Sequence, residues 1–226
     1  MNQTAALDWT DDTPVSTRFQ DSYFNPGAGL EEARHVFLAG NDLPARLRDG
    51  FHVAETGFGT GLNLLALADA WEGQGSLRFT SFEAFPMTPD DMARALSAYA
   101  GALREGLVGA LVDAWAGGEG PVRRLTLPGI VAEVNIGDAR EILPRWQGQA
   151  DAWFLDGFAP ARNPEMWGQG LMAAVAARTV PGGTCASFTA AGHVRRALAD
   201  AGFTVTRPPG FGRKRHMTAG RLEAQA

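Results

Sequence analysis

The sequence predicts an α/β domain: a mostly parallel sheet of seven strands, helices on both faces, and an antiparallel hairpin at one edge. Three observations carry this. From residue 51 onward short apolar runs alternate with longer amphipathic ones, the order of βαβ units. A glycine-rich stretch, "ETGFGTG" at 55–61, follows the first apolar run. The last two apolar runs flank a Pro/Gly-rich turn, "RPPGFGRKRH". With 226 residues, 45% of them apolar and 20% charged, the chain can bury a core without staples.

Each element has its own signal. "FHVAETG" (51–57) reads as a first strand and "GLNLLALADAWEG" (61–73) as the helix after it. "LRFTSFEA" (77–84) is a second strand. "TPDDMARALSAYAGALREGL" (88–107) is helical, with Thr88 as N-cap and Pro89 at the first helical position, where its missing N–H is no loss. "IVAEVNIGD" (130–138) and a short helix "AREILPRW" (139–146) follow. "DAWFLDGF" (151–158) is the fourth strand, and "EMWGQGLMAAVAARTV" (165–180) a helix stopped by "PGG". "TCASFTA" (184–190) and "AGHVRRALADAG" (191–202) give the fifth strand and its helix; "TVTRPPGFGRKRHMTAGRL" (204–222) closes the sheet with two strands. Residues 1–50, with aromatic residues, a turn at "NPGAG" and one short helical run, read as an N-terminal extension packed on a 51–226 domain.

Several function classes drop out. The single Cys185, in an apolar small-residue run, reads as an inert buried thiol and excludes a disulfide framework or thiolate metal cage. The four histidines (His35, His52, His193, His216) form no ligand-spaced pair, so no metal site is expected. No run approaches the roughly 20 apolar residues of a membrane span, and the N-terminus has no basic flank or apolar h-region, so a cytoplasmic protein is expected. The net charge of -5 is uneven: residues 190–226 carry seven basic against two acidic residues, a local +5. Such asymmetry suits an anionic partner, nucleic acid included, or a solvated basic tail.

A glycine-rich turn after the first strand of a parallel sheet sits where ligands bind, at the carboxyl ends of the strands. The dinucleotide spacing G-x-G-x-x-G fails here, because Leu62 occupies the third position. The observed acidic-x-G-x-G-x-G resembles the first motif of class I, Rossmann-like methyltransferases that use S-adenosylmethionine (SAM). Two acids fit that reading. Glu83 ends the second strand, 26 residues after Gly57, and can accept from both ribose hydroxyls. Asp138 ends the third strand and can accept from the adenine amino group; a helix cap is its alternative role. Asp156 emerges from the buried "AWFL" into the cleft, where a carboxylate needs a partner. The resemblance to amine-methylating members of that class implies that it orients an acceptor amine and takes its proton, although an unperturbed carboxylate is a poor base for that; a structural N-cap is its alternative role.

Six segments carry a narrower resemblance: "FQDSYFNPGAGLEEARHVFLAGNDLPAR", "ETGFGTGLN", "SFEAFPMT", "DAWFLDGFAPARNPEMW", "PGGTCASFTAAGHVRRAL" and "GFGRKRHM", as "LDGFAPARNPEMW" and "GFGRKR" are not generic to SAM-binding folds. Together, from about residue 8 to 220, they resemble the methyltransferase part of the MnmC-type tRNA-modification enzymes. The resemblance implies methyl transfer from SAM to the amine of 5-aminomethyl-(2-thio)uridine at the tRNA wobble position. It implies that Glu55, Gly57, Phe58, Gly59 and Gly61 line the methionine end, Glu83 the ribose, and Asp138 with Ala139 the adenine. Asp156 would hold the acceptor amine, with Tyr23 and Phe158 walling the pocket. Bifunctional relatives add an FAD-dependent domain; none is expected in this chain, so the aminomethyl substrate would come from a separate enzyme. Arg195, Arg196, Arg213, Lys214 and Arg215 would contact tRNA phosphates while an unstacked base enters the cleft. A SAM-dependent N-methyltransferase of small amines is the alternative, sharing the glycine loop, Glu83 and Asp138 without needing the basic turn. A non-catalytic binding module is the third reading.

Overall fold

A computed structural model describes residues 4–223. The chain opens with three short strands, β1 (Leu7–Thr10), β2 (Thr13–Ser16) and β3 (Asp21–Ser22), paired antiparallel in that order. Helix α1 (Gly29–Ala33) continues into a π-helical turn over Arg34–Leu38. The main sheet then builds from β4 (His52–Thr56), α2 (Leu62–Ala70), β5 (Leu77–Glu83), α3 (Pro89–Leu96), α4 (Leu107–Ala116), β6 (Val122–Leu127) and β7 (Ile130–Ile136). It is completed by α5 (Ala139–Ile142), β8 (Ala150–Leu155), α6 (Gln169–Ala177), β9 (Thr179–Ser187), α7 (Gly192–Asp200), β10 (Phe203–Thr206) and β11 (Thr218–Leu222).

Eight strands lie in the order β10-β11-β9-β8-β4-β5-β7-β6. β4, β5, β7, β8 and β9 are mutually parallel, and β11 runs antiparallel between β9 and β10, so the closing hairpin forms as expected. From β4 the chain winds outward through β5 to β7, then returns to place β8 on β4's other side. The strand order therefore reverses between β4 and β8, and the crevice at their carboxyl ends is the natural ligand position.

Helix α2 shows why the N-terminal segment is needed. Leu62 to Ala68 are all buried, so the helix has no solvated face. One side meets the sheet; α1, the π-helical turn and α4 cover the rest. The lone amide in this apolar helix, Asn63, is only 8% exposed.

Three sequence expectations are corrected. The helix expected over 88–107 breaks after Leu96 into a 3₁₀ turn, and a new helix starts at Leu107 after Gly106 at φ +82°. β6 is an eighth strand that the sequence reading lacks, although Gly129 at φ +77° in the "LTLPGI" turn is a hairpin signal. β9 begins at Thr179, so the "PGG" run expected to stop a helix lies inside a strand; the β8–β9 register shifts between Ala150 and Ala152 to accommodate it. Thr88 does cap α3, accepting from the Asp91 N–H at 3.1 Å, with Pro89 at the first position.

Candidate functional site

A cleft of about 750 Å³ opens at the carboxyl ends of β4, β5, β7 and β8. The sheet side contributes Gly57–Asn63 without Gly61, Glu83, Asp138, Ala139, Asp156 and Phe158. Residues 18–26, except Gln20, form the opposite wall, tied down where Asp21 Oδ2 accepts from the Ala159 N–H at 2.9 Å.

The loop glycines are required by packing as well as by approach to the cleft. Gly57, Gly59 and Gly61 have φ of +82°, +54° and +78°, in the left-handed region that disfavours other residues. A Cβ at Gly57 would meet the Asp156 carbonyl and Gly157 Cα, both at 3.3 Å. One at Gly59 would press on the Tyr23 ring at 3.3 Å, and one at Gly61 would reach Leu111 at 2.8 Å. Gly61 thus faces the core, not the cleft. Phe58 reaches both: it lines the cleft and stacks on Trp115 at 5.0 Å.

The acids sort by depth. Glu55 is fully buried and does not line the cleft, contrary to the expected place at the methionine end. Its oxygens accept from Asn63 Nδ2 at 2.9 Å and Ser81 Oγ at 2.7 Å. Burial, then the neighbouring Asp156 charge, pushes its carboxyl well above the usual range. Asn63 also donates to Asp156 Oδ2 at 2.7 Å, so one amide ties a buried carboxyl to the cleft carboxylate. Sequence reasoning missed Asn63; the signal was an amide in the apolar first two turns of the helix, seven residues of which are buried.

Asp156 Oδ1 accepts from the Gly157 N–H at 2.8 Å, and its carbonyl accepts from Thr56 Oγ1 at 2.8 Å. Desolvation raises its pKa from 3.8 to about 7, against the lowering effect of the Gly157 and Asn63 donors. The carboxylate is therefore not the weak base its residue type suggests.

Glu83, 8% exposed, accepts from the Gly59 N–H at 2.9 Å and the Phe85 N–H at 2.7 Å. Burial moves its pKa up. Two bonds leave acceptor positions on a carboxylate that has about four, which suits the vicinal hydroxyls of a ribose. Asp138 lines the cleft but is engaged as the N-cap of α5, accepting from the Arg140 N–H at 2.9 Å. It also pairs with the Arg140 guanidinium, which reaches Glu165 as well and holds the Asp138 carboxyl below its ordinary range. Ala139, 3% exposed, lies beside it.

Aromatic residues wall the mouth. Phe158 stacks on Phe19 (4.6 Å) and meets Tyr23 edge-on (5.0 Å). Burial raises the Tyr23 phenol, leaving it neutral. Phe19 and Phe85 are cleft residues that sequence reasoning did not single out. Of the basic candidates, Arg213 and Arg215 are exposed on the β10–β11 loop, and Arg195 and Arg196 lie on α7 outside the cleft lining. Lys214 departs from the expected phosphate-facing position: it points into the cleft and pairs with Glu32 at 2.8 Å. No group of three or more metal-ligating side chains occurs among the described residues, and none of their helices is long and apolar enough to cross a membrane.

The cleft thus offers a glycine turn at the strand-order reversal, a buried carboxylate suited to a ribose, and a cavity of nucleoside size, the features expected of a SAM site. Known proteins agree. The profile of a family described as S-adenosyl-L-methionine-dependent methyltransferase matches residues 100–223, over half the chain. A Caulobacter sp. (strain K31) protein named tRNA 5-methylaminomethyl-2-thiouridine biosynthesis bifunctional protein MnmC is 48% identical over 97% of this chain. The protein of that name from Caulobacter vibrioides is 46% identical over 96%. This chain spans only 38% and 37% of those relatives' lengths. Among solved structures, MNMC2 from Aquifex aeolicus superposes with a TM-score of 0.72 at 24% identity, covering 99% of this chain and 72% of that one. Spermidine synthase from Thermotoga maritima shares the fold at a TM-score of 0.56 and 10% identity, over 100% of this chain and 74% of that one. With cleft, strand order and sequence profile in agreement, the chain belongs to the S-adenosyl-L-methionine-dependent methyltransferases.

Proposed function

We propose that this chain methylates the exocyclic amine of 5-aminomethyl-(2-thio)uridine at the tRNA wobble position, giving the 5-methylaminomethyl product. The observation that carries the reading is Asp156: a carboxylate at the end of β8, fixed by Asn63 and Gly157, with its pKa raised to about 7 inside the cleft. The relatives' name supplies the substrate class. SAM supplies a methyl group already activated on a sulfonium. Glu83 would hold its ribose, the Gly57–Gly59 backbone its amino-acid end, and Ala139 would lie against its adenine.

The residues of this chain do the rest. Asp156 accepts a hydrogen bond from the amine N–H, aims the nitrogen lone pair, and takes the proton that the amine must lose. A base whose pKa is near working pH is well matched to that task. Phe19, Phe158 and Tyr23 exclude water and fix the base, so orientation supplies much of the acceleration. Arg213, Arg215, Arg195 and Arg196 give salt-dependent contacts to phosphates. The aminomethyl substrate then comes from a separate FAD-dependent or upstream enzyme.

Labelled SAM offered with tRNA bearing 5-aminomethyluridine, with unmodified tRNA, and with a panel of small amines tests this. Label confined to methylaminomethyluridine in the modified tRNA is expected. Label confined to the small amines would overturn the RNA substrate and leave methyl transfer standing.

A further inference from the structure

We propose that Glu32 and the face of Phe188 form a slot for a primary alkylammonium group. In the free protein the Lys214 ammonium fills it, and the substrate's aminomethyl group displaces Lys214 on binding. The inference rests on the amine-acceptor reading above and names how that amine is recognised.

Glu32 lies on α1, lines the same cleft as Asp156, and its side chain is only 13% exposed. A carboxylate this enclosed is favourably held by a cation. The one it has is Lys214, whose Nζ lies 2.8 Å from Oε1 and 4.8 Å from the centroid of the Phe188 ring. A carboxylate on one side and an aromatic face on the other make a general recognition geometry for an ammonium group. Glu32, Phe188 and Lys214 line the same cleft as Asp156, so the slot and the carboxylate that receives the amine share one cavity.

Lys214 is suited to leave. Its backbone is anchored in the β10–β11 loop: its N–H donates to the Phe211 carbonyl at 3.0 Å, and the Met217 N–H closes on Pro208 at 3.0 Å. Its side chain is 45% exposed, so the ammonium can swing to solvent beside Arg213 and Arg215 without moving the loop. Exchanging one ammonium for another leaves the buried charge unchanged, whereas a neutral group entering the slot would strand Glu32. The slot therefore selects a charged amine over an alcohol of the same shape, and it releases a lysine toward the phosphates that accompany the correct substrate.

The experiment is calorimetric titration of the full chain with three probes, 5-aminomethyluridine, 5-hydroxymethyluridine and butylammonium, in wild type, Glu32→Gln and Lys214→Met. Methylation of aminomethyl-bearing tRNA is followed in parallel. Wild type should favour the aminomethyl nucleoside. E32Q should weaken it tenfold or more and erase the preference; K214M should tighten it about three- to tenfold and leave the hydroxymethyl nucleoside unchanged. SAM affinity should stay within twofold throughout, which certifies both folds. The slot is overturned by K214M weakening the amine as E32Q does, by E32Q keeping the preference, or by wild type binding no ammonium probe. If those results accompany normal tRNA methylation, only the slot falls. If butylammonium binding depends on Glu32 and rises in K214M while tRNA is not methylated, the slot stands and the wobble-uridine substrate falls.

Discussion

Replacing Asp156 by Asn should abolish turnover and change how stability depends on pH. Asp156 is neutral in the native protein up to about pH 7, whereas an unfolded aspartate ionises near 3.8. The native state thus binds the proton more tightly, and stability falls as pH rises from about 4 to about 7. Over that whole span the effect is about 4 kcal/mol at 1.36 kcal/mol per pH unit. Between pH 5 and pH 8 the integrated share is about 2–3 kcal/mol, lowered further where cleft water screens the carboxylate. The amide that D156N introduces does not titrate, so wild type should lose that much relative to D156N across this range. Glu83, also raised by burial, titrates in both proteins and largely cancels in the difference, whereas Glu55 loses the raising effect of the Asp156 charge in D156N and so adds to the difference in the same direction. The fixed mismatch of an amide against two donors, Asn63 Nδ2 and the Gly157 N–H, cancels too. Urea melts at pH 5, 6, 7 and 8 and constant ionic strength read the difference directly. Parallel curves for the two proteins would refute the burial argument, and retained methyl transfer by D156N would remove Asp156 from the reaction.

Three further outcomes follow from the same geometry. Asn63→Ala strips a donor from Glu55 and Asp156 together, so urea melts should show a loss of about 2–3 kcal/mol, and kcat should fall while SAM affinity holds; unchanged stability would show that the bridge is idle. Glu83→Gln presents one acceptor to two backbone N–H groups, from Gly59 and Phe85, and should weaken SAM at least tenfold by calorimetry. Equal affinity would place the ribose elsewhere. Arg213→Ala combined with Arg215→Ala should weaken tRNA binding and reduce the slope of log K against log salt by about 1–2; a preserved slope would move the RNA path off this loop.

Local chemistry in the sequence determined much of this protein. The alternation of apolar runs and amphipathic helices predicts the parallel sheet, because each run must be buried on both faces. The Gly57–Gly61 spacing, with Glu83 and Asp156 each closing a strand, predicts where a SAM-like ligand sits, because strand ends in such a sheet converge on one crevice. Short-range signals also caught the Thr88 cap and the closing hairpin. They failed where long-range pairing overrides propensity: β9 carries "PGG" as an irregularity between Thr179, paired with Ala150, and Thr184, paired with Ala152 and Arg221, and β6 exists because β7 is there to pair with. Only the tertiary structure decided which side chains meet across the sequence. Asn63 joins Glu55 to Asp156 over 8 and 93 residues of chain, and Lys214 turns inward to Glu32 across 182. Neither contact has a local signature, because a buried carboxylate takes whichever donor the fold brings within reach, and burial, not residue type, sets the proton affinity of the acid at the centre of the cleft.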